Sequence, residues 1–289
     1  MKIVQINSVA NKGSTGKICR AISEIMNGEK IENYILYTAG KSDRAQDIKV
    51  ADEKYTRMQA LKSRIFGNYG FNSGKATRIM INELEKIKPD IVHLHNIHGH
   101  DCNLTTLFSW FRENKTKVIW TFHDCWAFTG YCPNFDMAGC EKWETGCEKC
   151  VQRKCYSWFF DRSKTLYDRK KALFEGTDLT VVTPSKWLSG KKRKTFLKYF
   201  PVTVINNGID LETFSFTPSD FRQKYNIPED KRIILGVSMF WDERKGIDVF
   251  LKLAKSLGKK YQTVLVGSVP AGISLPTEII SIKRTENQR

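Results

Sequence analysis

The sequence predicts an α/β fold built on a mainly parallel sheet covered on both faces. Short apolar runs stopped by polar residues recur along the chain, and stretches with helical spacing separate them. The unusual polar residues stand mostly where those runs end, and sheets of this kind bind ligands at the carboxyl ends of their strands.

In chain order, "KIVQIN" from Lys2 reads as a buried first strand. The opening "MKIVQINSVANKG" has one Lys and too short an apolar run for a signal peptide. "TGKICRAISEIM" has helical spacing and "NYILYTAG" is a second strand. Helices are expected near 56–66 and 73–88. "PDIVHLHN", "TKVIWTFHD" and "DLTVVTPS" repeat one strand design, the last followed by a basic helix from Lys186 to about Tyr199. "VTVINNGID" closes a first domain over 1–210, with a cysteine-rich insert at 124–155. A second start at 211 gives the strand "KRIILGVSMF", the amphipathic helix "KGIDVFLKLAKSLG", the strand "YQTVLVGS" and a third strand in "TEIISI". The sequence then ends in "KRTENQR", so the second domain, 211–289, is expected to be incomplete: about 75 residues and three strands are few for an open sheet with helices on both faces.

No stretch approaches the roughly 18 apolar residues that span a bilayer. A cytoplasmic location is expected, where the eight cysteines would be thiols or metal ligands rather than disulfides. The net charge of +16 implies an anionic partner: nucleic acid, an anionic membrane face or a phosphorylated small molecule.

"NKGSTGK" follows the first strand directly. Gly13 and Gly16 permit a tight turn, Ser14 or Thr15 can cap the next helix, and free N–H groups there favour a phosphate or a polar sugar edge. A Walker-type phosphate loop is disfavoured, because Asn11 replaces its first Gly and Ile18 stands where Ser or Thr would hold magnesium. A plain helix start without a ligand stays open. "HLHNIHGH" sets His93 and His95 on one strand face, with Asn96, His98, His100 and Asp101 after them. Metal is a weak reading of that pattern, and the polar lining of an acceptor cleft is the better one. In "FHDCW", His123 can hydrogen-bond a substrate hydroxyl and Asp124 can fix its tautomer, against the plainer reading of a structural histidine and a turn cap.

Cys132, Cys140, Cys147 and Cys150 have a spacing that fits a tetrahedral structural zinc, with Cys125 and Cys155 as alternates; uncoordinated thiols in a packed insert are the competing reading. No helix opens at the Cys-x-x-Cys, which argues against a redox pair, and no finger spacing or recognition helix follows, which argues against nucleic acid. "WLSGKKRKTFLKYF" joins Lys191, Lys192, Arg193, Lys194 and Lys198 to aromatic residues, and reads as a surface for anionic lipid or a solvated helix face.

Taken together, "VINNGIDLETF", "ERKGIDVFLKLA" and "FHDCWAFTGYC" resemble family 4 glycosyltransferases of the GT-B fold, and bacterial colanic-acid or exopolysaccharide enzymes in particular. The resemblance covers essentially the whole chain. It implies two Rossmann-like domains, acceptor on the first and nucleotide-diphosphate sugar on the second, with retaining transfer and no catalytic metal. By position, Gly13, Ser14, Thr15 and Gly16 would approach the sugar or its diphosphate, and His95, Asn96 and Asp124 would line the same cleft. His123 would contact the donor sugar near the reacting carbon. Asn207, Gly208 and Asp210 would form the hinge, and Lys245 with Arg244 would neutralise the leaving diphosphate. The acceptor would be a glycan or a lipid-diphosphate-linked sugar at the inner membrane face, in surface polysaccharide biosynthesis. Two departures stand out: "GVSMFW" lacks an Arg that many relatives carry after that Gly, and the family's two glutamates beyond the "TENQ"-like segment do not appear. A catalytically inactive fragment or binding subunit, retaining only the acceptor domain, is the alternative reading.

Overall fold

The computed structural model describes residues 1–283. The chain divides into two compact units, Met1–Gly208 and a second from Ile209 onward. In the first, the strands of the main sheet are β1 (Lys2–Ile6), β2 (Glu32–Tyr37), β3 (Ile48–Lys49), β4 (Ile91–Leu94), β5 (Lys117–Thr121), β6 (Leu179–Thr183) and β7 (Val202–Val204). The longer helices beside them are α1 (Gly13–Gly28), α2 (Glu53–Phe66), α3 (Gly74–Ile87), α4 (Leu104–Glu113), α5 (Ser163–Phe174) and α6 (Lys186–Arg193).

All neighbouring strands of this sheet are parallel, in the order β3-β2-β1-β4-β5-β6-β7. The order reverses at β1, so the crevice beyond the carboxyl ends of β1 and β4 is the topological switch point, where doubly wound sheets take ligands. The core holds Val4, Ile6, Val92, Leu94, Val118, Trp120 and Val181 from the strands, against Leu84, Leu107, Phe108, Phe111, Leu166 and Phe174 from the helices. Burial on both faces explains why these strands read as continuous apolar runs. Gln5 is one polar exception, fully buried in the middle of β1.

Two local features differ from the sequence-based expectation. No side chain caps α1; its N-cap is Lys12, and the Thr15 hydroxyl instead meets the Asn7 amide at 3.4 Å. Gly13 has φ +65°, and a Cβ on Gly16 would lie 3.1–3.3 Å from Asn11 and Val9, so the glycines serve the turn and the close approach. The basic helix stops at Arg193 because Thr195 starts a separate 3₁₀ turn, its hydroxyl accepting the Leu197 N–H; Lys192 turns inward onto the Phe200 carbonyl. The cysteine-rich insert at 124–155 is rooted in the main core, to which Trp126, Phe128, Tyr131, Phe135 and Trp143 belong.

The second unit carries β8 (Arg232–Phe240), β9 (Tyr261–Ser268) and β10 (Ile279–Ile282) in a parallel sheet of that order, with α7 (Ile247–Ser256) packed on one face. Trp241, Ile247, Ala254, Leu265 and Ile279 form its core, while Leu235, Val237 and Met239 of β8 are exposed. The "TENQ" segment lies outside the described residues.

Candidate functional site

Three strand ends in the first unit converge at the switch point. Asn7 and Ser8 follow β1, His95 and Asn96 follow β4, and His123 and Asp124 follow β5. Crossed bonds lock the first two ends: Asn96 N–H to Asn7 Oδ1 at 3.1 Å, Ser8 N–H to the Asn96 carbonyl at 2.8 Å, and Ser8 Oγ to the same carbonyl at 2.8 Å. A Cβ on Gly99 would lie 2.5 Å from Ser8 Oγ, so glycine is required for that approach.

The imidazoles form a connected cluster. His95 Nδ1 lies 3.1 Å from His123 Nε2, and His95 Nε2 lies 3.1 Å from Gln5 Oε1. His93 lies beside His95, its ring tilted by 38° with centroids 4.1 Å apart, and bonds Thr121 Oγ1 at 2.8 Å. Burial drives the pKa of His93 down to about 4 and that of His95 well below its ordinary value, with neighbouring imidazoles adding to the shift. His123 is lowered too: its burial outweighs the opposite pull of Asp124. His98 Nε2 meets Asp124 Oδ2 at 2.8 Å, and the hydroxyl of Tyr69 sits 3.1 Å from His98 Nδ1. Burial alone would raise the Asp124 carboxyl, but the His98 bond, the charge there and the Trp126 N–H hold it below the ordinary range. A neutral imidazole pair beside a fixed carboxylate results, suited to exchanging hydrogen bonds with hydroxyl groups rather than to moving protons at neutral pH.

Asp101, the carboxylate nearest the histidine run in sequence, is fully buried and accepts from Thr38 Oγ1 at 3.0 Å. His100 bonds Ser63 Oγ at 3.2 Å. Each is thus engaged in holding the loop.

One residue that the sequence did not single out anchors the "HDCWAFTGYC" stretch. Lys170 of α5 is fully buried, and its ammonium donates to the carbonyls of Trp126 (2.7 Å) and Thr129 (2.9 Å) and lies 3.7 Å from the Trp126 ring centroid. Desolvation lowers its pKa to about 7 against the pull of nearby Cys147, Cys132 and Asp124. Gly70, at φ +82°, makes room for the same indole: a Cβ there would lie 2.5 Å from it.

Cys132, Cys140, Cys147 and Cys150, the expected tetrahedral set, lie within electrostatic reach of one another. Among the described residues no three His, Cys, Asp or Glu side chains are grouped to hold an ion. The thiols pack instead against the core: Cys132 is buried, and Cys140, Cys147 and Cys150 are half-buried against Phe- and Trp-rich surroundings. Cys147 Sγ accepts the Gly130 N–H at 3.2 Å, and burial pushes Cys132 up to about 12 and Cys150 to about 11.

Asn207 and Gly208 lie exposed at the end of the first unit. Asp210, at the start of the second, accepts from Glu212 N and Thr213 Oγ1. Arg244 and Lys245 belong to the second unit, exposed on a 3₁₀ turn whose cap, Asp242, accepts the Lys245 N–H at 2.8 Å.

The sequence profile of Glycosyltransferase Family 4 matches residues 31–213. The chain belongs to glycosyltransferase family 4. It is 26% identical over 235 residues to the colanic acid biosynthesis glycosyl transferase WcaC of Escherichia coli, covering 74% of this chain and 56% of that protein. A processive diacylglycerol alpha-glucosyltransferase of Acholeplasma laidlawii is 22% identical over 108 residues, 36% of this chain and 32% of its own. The chain therefore spans little more than half of WcaC and a third of the second relative. Among solved structures, sucrose-phosphate synthase from Thermosynechococcus elongatus superposes with a TM-score of 0.65 at 15% identity, over 99% of this chain and 71% of that one. Anabaena HepE, in complex with UDP and glucose, gives 0.60 at 11% over 99% and 70%. WaaG, a glycosyltransferase of lipopolysaccharide biosynthesis, gives 0.59 at 13% over the same shares. At these identities the likeness is one of fold, and the family's two-domain GT-B architecture is the one shared.

Proposed function

We propose that this chain works as a retaining glycosyltransferase, moving a sugar from a nucleotide diphosphate to a glycan or lipid-linked acceptor in surface polysaccharide biosynthesis. The observation that carries the reading is the His95–His123 pair and Asp124 at the switch point, where a sugar would meet neutral imidazoles and one fixed carboxylate. In this reading Gly13 to Gly16 face the sugar or its diphosphate, with Asn96 beside them. Lys245 and Arg244 offset charge on the departing diphosphate, a task that a fixed cation performs without a metal. A nucleotide donor agrees with the UDP held by HepE, and the product class with the names of WcaC and WaaG.

The anionic membrane partner fits α2 better than α6. The buried side of α2 is polar: Gln59 accepts the Ser73 N–H, and Ser63 accepts from Asn72. Its exposed side carries Met58, Leu61 and Phe66 among Lys54, Arg57, Lys62 and Arg64. The exposed turn Trp158–Phe159–Phe160 is tied to its end by the bond from Trp158 N–H to the Arg64 carbonyl. Apolar side chains ringed by cations suit an anionic bilayer surface. Flotation with anionic vesicles at low salt checks this surface: Met58→Ser/Leu61→Ser/Phe159→Ser should stay at the bottom, and flotation equal to wild type would remove it.

A thermal-shift titration with uridine- and guanosine-diphosphate sugars tests the main reading. A donor at a hundred times its Kd should add about 2.7 kcal/mol of stability. Release of nucleoside diphosphate that Lys245→Ala abolishes would then establish transfer. A melt moved by neither donor class would overturn the donor-binding reading and favour a chain that holds acceptor without transfer.

A further inference from the structure

We infer that Gln5 and His95 set the tautomer of His123, so that it offers a bare Nδ1 as a hydrogen-bond acceptor to a substrate hydroxyl. The inference deepens the proposed function, resting on His123 as the sugar contact, and assigns Gln5 and His95 as positioning residues.

The chain of donors starts in α1. The Gln5 amide nitrogen lies 3.0 Å from the Cys19 carbonyl and 2.8 Å from Ser23 Oγ. The Cys19 carbonyl can only accept, so the amide cannot be reversed without placing two acceptors in contact. Gln5 Oε1 therefore faces His95 Nε2 and requires a hydrogen on it. His95 is 1% exposed and flanked by two other imidazoles, a setting that keeps it neutral and leaves its Nδ1 without a hydrogen. That bare nitrogen, 3.1 Å from His123 Nε2 with the ring planes 15° apart, must accept the His123 Nε2–H. A neutral His123 has one hydrogen to place, and this bond places it. Its Nδ1 then keeps a lone pair, has no protein partner among the described residues and sits on a half-buried ring. Such a nitrogen recognises a group that can donate, as a sugar hydroxyl does.

The sequence hides this device because the three residues are about 90 and 28 positions apart and only the strand order β1-β4-β5 places them side by side.

The test is tautomer assignment by long-range ¹H–¹⁵N correlation on the full chain labelled at its five histidines, each resonance assigned from single His→Asn variants. At pH 7, His95 and His123 should both appear as the neutral Nε2–H form. His123 found as the Nδ1–H form would overturn the proposal. Gln5→Met removes the acceptor that orders the relay and should mix the tautomers of both rings; Gln5→Glu keeps an acceptor at that point and should restore the single form. Wild-type tautomers in Gln5→Met would show that Gln5 directs nothing. These spectra are read without donor or acceptor present, so they stand or fall apart from the sugar-transfer reading. If the relay holds and no sugar nucleotide binds, the fault lies with the function.

Discussion

Replacing Lys170 by Met tests whether an amine is sealed beneath the site loop. The folded amine titrates at about 7 against 10.5 for an ordinary lysine. Between those values the unfolded chain holds a proton that the folded chain does not, so unfolding takes up a proton and stability rises with pH. Each unit of pH within the window contributes about 1.4 kcal/mol, so raising the pH from 7 to 9 should favour the wild-type fold by about 2 kcal/mol through this group alone. Lys170→Met lacks the term, and the difference between the two proteins cancels every other titrating group. The offset at pH 7 is a separate quantity, since the variant strands the Trp126 and Thr129 carbonyls at about 1–3 kcal/mol each while relieving a buried amine. Urea denaturation of both proteins at pH 7, 8 and 9 in reductant gives the slope. A difference that stays flat across that range would mean that the amine is hydrated, and the anchoring of the "HDCWAFTGYC" stretch would fall with it.

Further outcomes follow from the same packing. Gly70→Ala should lower stability by about 2–4 kcal/mol, combining a left-handed φ with a collision against Trp126, and chemical denaturation reads it directly. As pH falls from 6.5 toward 4, the neutral His93 should cost the fold about 2 kcal/mol by pH 5, because the unfolded chain takes up the proton first; His93→Asn should flatten the acid limb of a melting-temperature profile. Under native conditions a thiol reagent should modify exposed Cys155 well before buried Cys19, Cys102 and Cys125, followed by mass spectrometry. Metal analysis of the same preparation bears on the four clustered cysteines: about one equivalent of tightly held zinc would show that they regroup into the tetrahedral set that the described geometry lacks.

The parallel sheet was legible because its central strands are buried on both faces, and the polar residues that stop each run mark the carboxyl ends at which His95, His123 and Asp124 sit. Other features were decided by partners far along the chain. Met58, Leu61 and Phe66 look like the inner stripe of α2, but Gln59 and Ser63 take that side through bonds to Ser73, Asn72 and His100. Lys170 is one cation in the run "DRKKALF", with no local mark to separate it from Arg169 or Lys171. Gln5 did carry a signal: a lone amide inside an otherwise apolar buried strand needs partners on both its ends. The thiol spacing allowed a metal set, yet spacing says nothing of where Phe135 and Trp143 will pack, and their stacked rings belong to the main core.

The rooting of 124–155 in the main core bears on how this scaffold can be altered. Excising that stretch to leave a plainer sheet-and-helix unit would uncover Phe122, which packs on Phe128, and take away the Trp126 ring over Lys170. It behaves as a keystone rather than an ornament, so loop grafts from relatives should be exchanged together with α5, whose lysine reads the loop's backbone. Gly139 is the natural place for a probe: it sits in an open turn with nothing within 4 Å of where a side chain would start, and its φ of +55° suits an inserted Asn or Gly-containing tag.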